Sequence, residues 1–243
     1  MKEFTDLENI KERAKGLLDT SLIETNLSPM IVSHPFTKYG ILLIPDNGET
    51  TQINIVENKT AFVKWKNLMA EQIDNAESVY HIYWLLNDAY ALYFFDYISE
   101  LLSPQDYSQL LASTWINSEY ANCDANINKK ELLKHFQNAD KQYLLKEEEL
   151  KVLQSLEDKV TIYRGVTPYN KNNIKALSWT LDFDTARWFA NRFRSKGKVY
   201  SATIDKSHIY AYFNGKNESE VIVDPKFIED IKIAKYSQET PNL

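Results

Sequence analysis

The sequence predicts an α+β protein. It has a mainly helical first part with a small β hairpin or meander, and a strand-rich second part. Three observations carry this. Apolar residues recur at helical spacing through most of residues 60–157. Short β-type runs replace them after Asp158. In the second part the order is strand, strand, helix, then strands, which is not the alternating βαβ pattern of a parallel sheet. With 243 residues, 44% of them hydrophobic, the chain holds enough apolar material for a real core.

Taken in order, residues 5–24 read as a helix, with Leu7, Ile10, Ala14, Leu17 and Leu18 near one stripe. Met30-Ile31-Val32, Ile41-Leu42-Leu43-Ile44 and Gln52-Ile53-Asn54-Ile55 are strand-like, and Asp46-Asn47-Gly48 is a turn signal. A hairpin or meander is therefore expected over 29–56. Helices follow over 60–74 and 77–102, the second apolar on several sides and hence central. Ser103-Pro104 restarts a helix with a capping serine and a proline at the first position. Further helices fit 129–138 and 142–157, with the glutamates of Lys146–Leu150 read as a solvated face. After Asp158, Val160–Arg164 is a β run ended by Gly165, and Lys175–Thr180 is a second candidate. Residues 183–194 form a helix capped by Asp182, with Ala186, Phe189, Ala190 and Phe193 on one stripe. Trp188 and Phe189 are expected in the core. Lys198–Ile204, Ile209–Phe213, Glu220–Asp224 and Asp230–Tyr236 complete the strands. The texture change near 158 divides the chain into a mostly helical accessory or regulatory region, 1–157, and a second region, 158–243.

Composition narrows the setting. The single cysteine, Cys123, allows no disulfide within the chain and points to a reducing interior. The N-terminus is charged, without the apolar run of a signal peptide, and no stretch of about 18 apolar residues marks a membrane span. A cytoplasmic protein without a membrane partner is expected. His34, His81, His135 and His208 are scattered without ligand spacing, so no metal is expected. Residues 160–243 hold 13 Lys and Arg against 9 Asp and Glu, a net charge of +4, which leaves −10 on residues 1–159. A basic second region suits a polyanionic ligand, either a dinucleotide or a nucleic acid.

Three pieces of the second region bear chemistry. Arg164 closes an apolar strand beside Gly165, which lets a ligand approach the backbone; its guanidinium is a fork for phosphate oxygens or a structural ion-pair group. Ser178 and Thr180 are two apart, so in an extended chain both hydroxyls face one side, and Thr180 or Asp182 also reads as a cap for the helix over 183–194. Glu218 and Glu220 are also two apart and lead into Val221-Ile222-Val223. Extended backbone would put both carboxylates on one face.

These pieces, Tyr163-Arg164-Gly165-Val166, Leu177-Ser178-Trp179-Thr180, Ala186-Arg187-Trp188-Phe189-Ala190 and Glu218-Ser219-Glu220-Val221-Ile222, occur in an order that resembles the R-S-E class of ADP-ribosyltransferases. That class includes cholera- and iota-like toxins, arginine-specific transferases and phage enzymes. The resemblance spans about residues 158–243. It implies two small, roughly perpendicular β-sheets flanking an NAD cleft, with NAD as co-substrate. By motif position it implies that Arg164 grips NAD phosphate and ribose, with Gly165, Ser178 and Thr180 lining the cofactor site. It implies that Ser178 orients Glu220, the catalytic carboxylate, and that Glu218 is the first residue of the E-x-E pair. Where the family often reads Ser-Thr-Ser, this chain has Ser178-Trp179-Thr180, keeping the outer hydroxyls; Trp179 is expected to point into the core. In the family an aromatic before the E-x-E recognises substrate, which directs attention to Tyr212 and Phe213, although Ile209, Ala211 and Phe213 also read as one face of a strand.

The implied activity is transfer of ADP-ribose from NAD to a macromolecular acceptor with release of nicotinamide, in an intracellular toxin or effector. The E-x-E pair favours an arginine side chain as acceptor. A nucleic-acid base is the alternative, supported by Arg187, Arg192, Arg194, Lys196 and Lys198 near aromatics. NAD hydrolysis and a non-enzymatic binding module are further readings. The acidic first region reads as a docking module, a lid or a surface for an antitoxin or regulatory protein, as in toxin–antitoxin and phage-conflict settings.

Overall fold

The computed structural model describes residues 2–46, 48–118, 122, 124, 126–194 and 196–234. Cys123 and Tyr236 lie outside these residues. The chain divides into two units, Met1–Glu119 and Tyr120–Leu243. The helices over 129–155, grouped from the sequence with the first region, therefore belong to the second unit. Ring contact between Phe136 and Phe213, at 6.4 Å, and a hydrogen bond from Gln137 Nε2 to Tyr210 Oη, at 3.2 Å, tie them to its strands. Both units are α+β. Among the described residues no helix is long and apolar enough to cross a membrane.

In the first unit Asp6 caps α1 (Leu7–Leu18), which buries Ile10, Ala14 and Leu18. The helix stops short of residue 24. The N–H groups of Asp19 and Thr20 turn back onto Gly16 O and Leu17 O, and Ile23 pairs with Ser33 instead. Strands β1 (Ile23–Thr25), β2 (Ser28–His34) and β3 (Thr37–Tyr39) form an antiparallel meander, and β4 (Ile41–Asp46) with β5 (Glu49–Asn54) forms a hairpin. Asn58 caps α2 (Lys59–Asp74) by accepting from Thr60 N and Ala61 N.

The expected helix over 77–102 is broken into α3 (Val79–Tyr83) and α4 (Ala91–Ile98). The break lies at Asn87. Its N–H bonds Pro35 O, its Nδ2 donates to His34 O, and its Oδ1 accepts from Ala89 N to start the next turn. Ser103 and Pro104 open α5 (Pro104–Asn117) as the sequence requires. Fully buried His34 sits among Phe36, Phe62 and Trp65, its ring 5.1 Å from that of Trp65, and its Nδ1 accepts from Phe36 N.

In the second unit Asn128 and Glu131 form a reciprocal cap on α6 (Lys129–Asn138). The helix expected over 142–157 is two, α7 (Lys141–Leu144) and α8 (Glu147–Ser155), divided at Leu145, which is extended. Six strands follow: β6 (Lys159–Val166), β7 (Ser178–Thr180), β8 (Lys198–Asp205), β9 (Ile209–Phe213), β10 (Glu220–Val223) and β11 (Glu229–Ile233), with α9 (Phe183–Asn191) after β7.

In place of two separate sheets, these strands form one antiparallel sheet in the order β11-β8-β6-β7-β10-β9. Strand β6 pairs with β8 along its whole length, from Lys159 opposite Asp205 to Val166 opposite Lys198. It meets β7 at a single rung, Tyr163 opposite Thr180. Two groups of three strands therefore join at one residue pair. Among the described residues, the edge of β6 away from β8 is met only by the three-residue β7.

Helix α9 lies on β6 with Ala186 and Ala190 buried beside Val199. Gly165 is what allows this: a Cβ there would strike Ala186 O, Ala190 N and Phe189 Cβ. Trp188, expected in the core, is 60% exposed. At 100° per residue it stands nearly opposite both buried alanines.

Gly165→Ala should destabilise the second unit by about 3 kcal/mol, because the clash is with helix backbone rather than a yielding side chain. Denaturant unfolding measures the loss, and a change below about 0.5 kcal/mol would show that α9 shifts freely. In the first unit, burial is the main cause holding the His34 pKa below the ordinary histidine range; the Leu18 and Thr20 carbonyls oppose this and Lys66 adds to it. The unfolded chain then binds the proton more readily, so stability should fall as pH drops below about 6.5. His34→Asn should flatten that slope in urea titrations between pH 5 and 8; an unchanged slope would assign it to other groups.

Candidate functional site

The rung joining the two groups of strands has Thr180 at its centre, opposite Tyr163 on one side and Glu220 on the other. Glu220 in turn lies opposite Phe213. Around this row the motif residues come together. Ser178 and Ile222 are directly opposed, so Ser178 and Glu220 are diagonal neighbours on one face. Ser178 Oγ donates to Glu220 Oε1 at 2.5 Å. Arg164 Nη1 donates to Ser178 O. Arg164, Ser178 and Glu220 are each half-buried, whereas Trp179, Val221 and Ile222 around them are buried. As expected, Trp179 points inward, and its Nε1 donates to Ala176 O at 3.2 Å.

A fixed carboxylate, a hydroxyl that orients it and a permanent cation thus form one connected cluster. A carboxylate only accepts hydrogen bonds, so holding Oε1 fixes the direction in which the group can receive a further donor. The guanidinium brings a charge that no accessible pH removes. Together they can position a ligand that carries both hydroxyls and anionic oxygens.

Other expected site residues fare differently. Thr180 is 5% exposed; its hydroxyl donates to Glu218 O at 2.6 Å and accepts from Asp182 N at 3.0 Å. Its single proton is committed, so it braces the neighbouring segment rather than lining a cofactor site. Gly165 faces the α9 backbone, so the close approach it permits on that side is the helix and not a ligand. Tyr212 and Phe213, to which the resemblance directs substrate recognition, are 6% and 3% exposed within β9, and Phe213 packs against Phe136 of α6.

The E-x-E geometry also needs correcting. Strand β10 begins at Glu220, and Ser219 has φ 44°, in the left-handed region. Extended-chain alternation therefore does not apply between Glu218 and Glu220. Glu218 is held instead through its carbonyl, by Thr180. Ser219 O accepts from Leu181 N at 3.0 Å, so β7 and its continuation grip the segment on both sides of the turn.

Sequence reading missed two supports. Asn122 Oδ1 accepts from both Leu177 N, at 3.1 Å, and Ser178 N, at 3.2 Å. Asn122 O accepts from Asn173 Nδ2 at 3.3 Å, and Lys129 Nζ donates to Asn173 Oδ1. No local pattern marks Asn122. The second support is Glu149, expected on a solvated face but 6% exposed. Its Oε1 accepts from Asn214 N at 2.8 Å and its Oε2 from Lys146 N at 3.0 Å. Asn214 in turn accepts from Ser219 N at 3.0 Å, closing the loop ahead of Glu220. Lysine at 146 has no acceptor to complete a capping pair, so no sequence signal marks Glu149 as a cap, and nothing nearby announces its second partner.

Among the described residues no group of three or more His, Cys, Asp and Glu is placed to hold a metal ion. His208 stacks on Phe227 at 3.5 Å, and His81 Nδ1 accepts from Glu77 N. No protein-family model, curated protein or solved structure matches the chain.

Asn122→Ala should leave two inward N–H groups without an acceptor, at a cost of about 1–3 kcal/mol. Amide exchange at Leu177 and Ser178 should then speed at least about fivefold, while Asn122→Asp, which keeps an acceptor, should hold it near the parent rate. Unchanged exchange in the alanine variant would remove Asn122 from the support of β7.

Proposed function

We propose that the chain is an NAD-dependent ADP-ribosyltransferase, with its reaction centred on Glu220. The observation that carries this is the hydrogen bond from Ser178 to Glu220, linked through the Ser178 carbonyl to Arg164. These are the three residues singled out by the resemblance, brought into one cluster from segments 14 and 42 residues apart. In this reading the two groups of strands correspond to the two small sheets of the transferase fold, and NAD sits where they meet at the Tyr163–Thr180 rung.

The chemistry follows from the groups present. Loss of nicotinamide from the ribose leaves an oxocarbenium-like centre, as in glycoside cleavage. Glu220, fixed by Ser178, accepts a hydrogen bond from the ribose 2-hydroxyl that strengthens as positive charge develops. Arg164 offsets pyrophosphate charge and restricts the dinucleotide to a reactive geometry. Glu218 takes the proton from the incoming nucleophile. Its backbone is fixed by the Thr180 hydroxyl, which donates to Glu218 O, beside the left-handed Ser219. An arginine side chain is the favoured acceptor. Control by an antitoxin or other regulatory protein accords with an activity harmful to its own host.

Incubation of the purified chain with labelled NAD and a cell lysate tests the proposal. Glu220→Gln should lower turnover at least about 100-fold while leaving the fold intact. Label that needs Glu220 and is lost to protease identifies a protein acceptor; label lost to nuclease identifies a nucleic acid. Nicotinamide release without macromolecular label would make the chain an NAD glycohydrolase, and absence of any Glu220-dependent turnover would sink the proposal.

A further inference from the structure

We propose that the outer face of α9 and the segment after it bind single-stranded nucleic acid. Arg187, Arg192, Arg194, Lys196 and Lys198 occur within residues 185–204, which contain no Asp or Glu. All five are exposed. The fold gathers them around the end of the helix. Gly197 N donates to Ala190 O at 3.1 Å, so at Gly197 the chain lies beside the last turn of α9. Glycine is needed there, since a Cβ at 197 would strike Ala190 O and Val166 O. Lys198 then enters β8 opposite Val166. Asp184, near the start of the helix, pairs with Arg187 at 3.0 Å.

Large aromatic surface lies within this cationic region. Trp188 is 60% exposed and meets Phe189 edge-on, with ring centroids 5.0 Å apart. The Arg192 guanidinium lies over both rings, at 5.2 Å and 5.3 Å. The dipole of α9 accounts for cations at its C-terminus. It does not account for an indole left in water beside them. Cations that follow a phosphate backbone, with an aromatic plane between them, are what a single strand engages. A duplex keeps its bases stacked and offers mainly phosphates to such a surface, while an acidic protein would satisfy the cations without a flat partner for Trp188.

The proposal does not depend on ADP-ribosyl transfer, and its test separates the two. Fluorescence anisotropy of the full chain with a labelled uridine- or thymidine-rich strand of about 12 nucleotides, long enough for one such groove, should show binding that weakens between about 50 and 200 mM salt. Combined Arg192→Gln, Arg194→Gln, Lys196→Gln and Lys198→Gln should lower affinity at least about tenfold and flatten the log–log salt slope by about 3. Trp188→Ala should lower single-strand affinity about tenfold with little change in slope. Circular dichroism and melting of these surface variants should match the parent, and Glu220→Gln should bind as the parent does. Absence of binding at the lower salt would overturn the proposal. So would equal affinity for duplex and single strand, or indifference to Trp188→Ala, either of which would leave plain polyanion attraction. Displacement of the strand by NAD equimolar with the protein would also overturn it, by giving the surface to the dinucleotide.

Discussion

Ser178 commits its N–H, its carbonyl and its hydroxyl to three different parts of the second unit. The N–H goes to Asn122, the carbonyl accepts from Arg164, and the hydroxyl holds Glu220. Such a residue cannot move without disturbing all three. Strand β7 is only three residues long and would be a weak element by itself. Its position is set by these bonds, by its ladder with β10 and by one rung to β6. Local weakness with many outside anchors places the orientation of the carboxylate under the control of the whole unit. That is what a preorganised site requires.

A second constraint works from behind. Gly165 and Gly197 remove side chains where α9 would otherwise meet backbone, and Ala186 and Ala190 keep the helix side of the contact equally thin. The helix can therefore lie close to β6, beside the residue that supplies the guanidinium. The same small-residue contact decides what faces outward. With alanines spent on packing, the bulky Trp188 faces the opposite side, and the exposed Arg187, Arg192 and Arg194 flank it to form the proposed nucleic-acid surface. One motif, Ala186-Arg187-Trp188-Phe189-Ala190, thus serves packing on one side and exposes chemistry on the other.

The loop before Glu220 shows how a buried acid can be structural. Glu149 closes the start of α8 with one oxygen and reaches Asn214, 65 residues away, with the other. Asn214 then receives Ser219 N, while Thr180 and Leu181 hold the same turn from β7. Each of these groups finds its partner in a segment remote in sequence. This is why Glu149 reads as a surface residue when only its neighbours Glu147 and Glu148 are considered.

Much of the secondary structure was legible because its causes are local. Capping at Ser103 and Asp182, the helix over 129–138 and the strand over Ile209–Phe213 depend on residues a few positions apart. The resemblance also singled out Arg164, Ser178 and Glu220 as belonging together. Tertiary structure decided what those signals could not carry. It broke the helix at Asn87, because that side chain finds partners at His34 and Thr37. It assigned the helices over 129–155 to the second unit, turned Ser219 left-handed and withdrew Tyr212 and Phe213 into the sheet. It also joined six strands through one rung where two sheets were expected. Periodicity and caps express the preferences of a chain for itself, over a turn or two. The rest depends on which distant donor, acceptor or flat apolar surface folding brings alongside, and that is a property of the assembled unit.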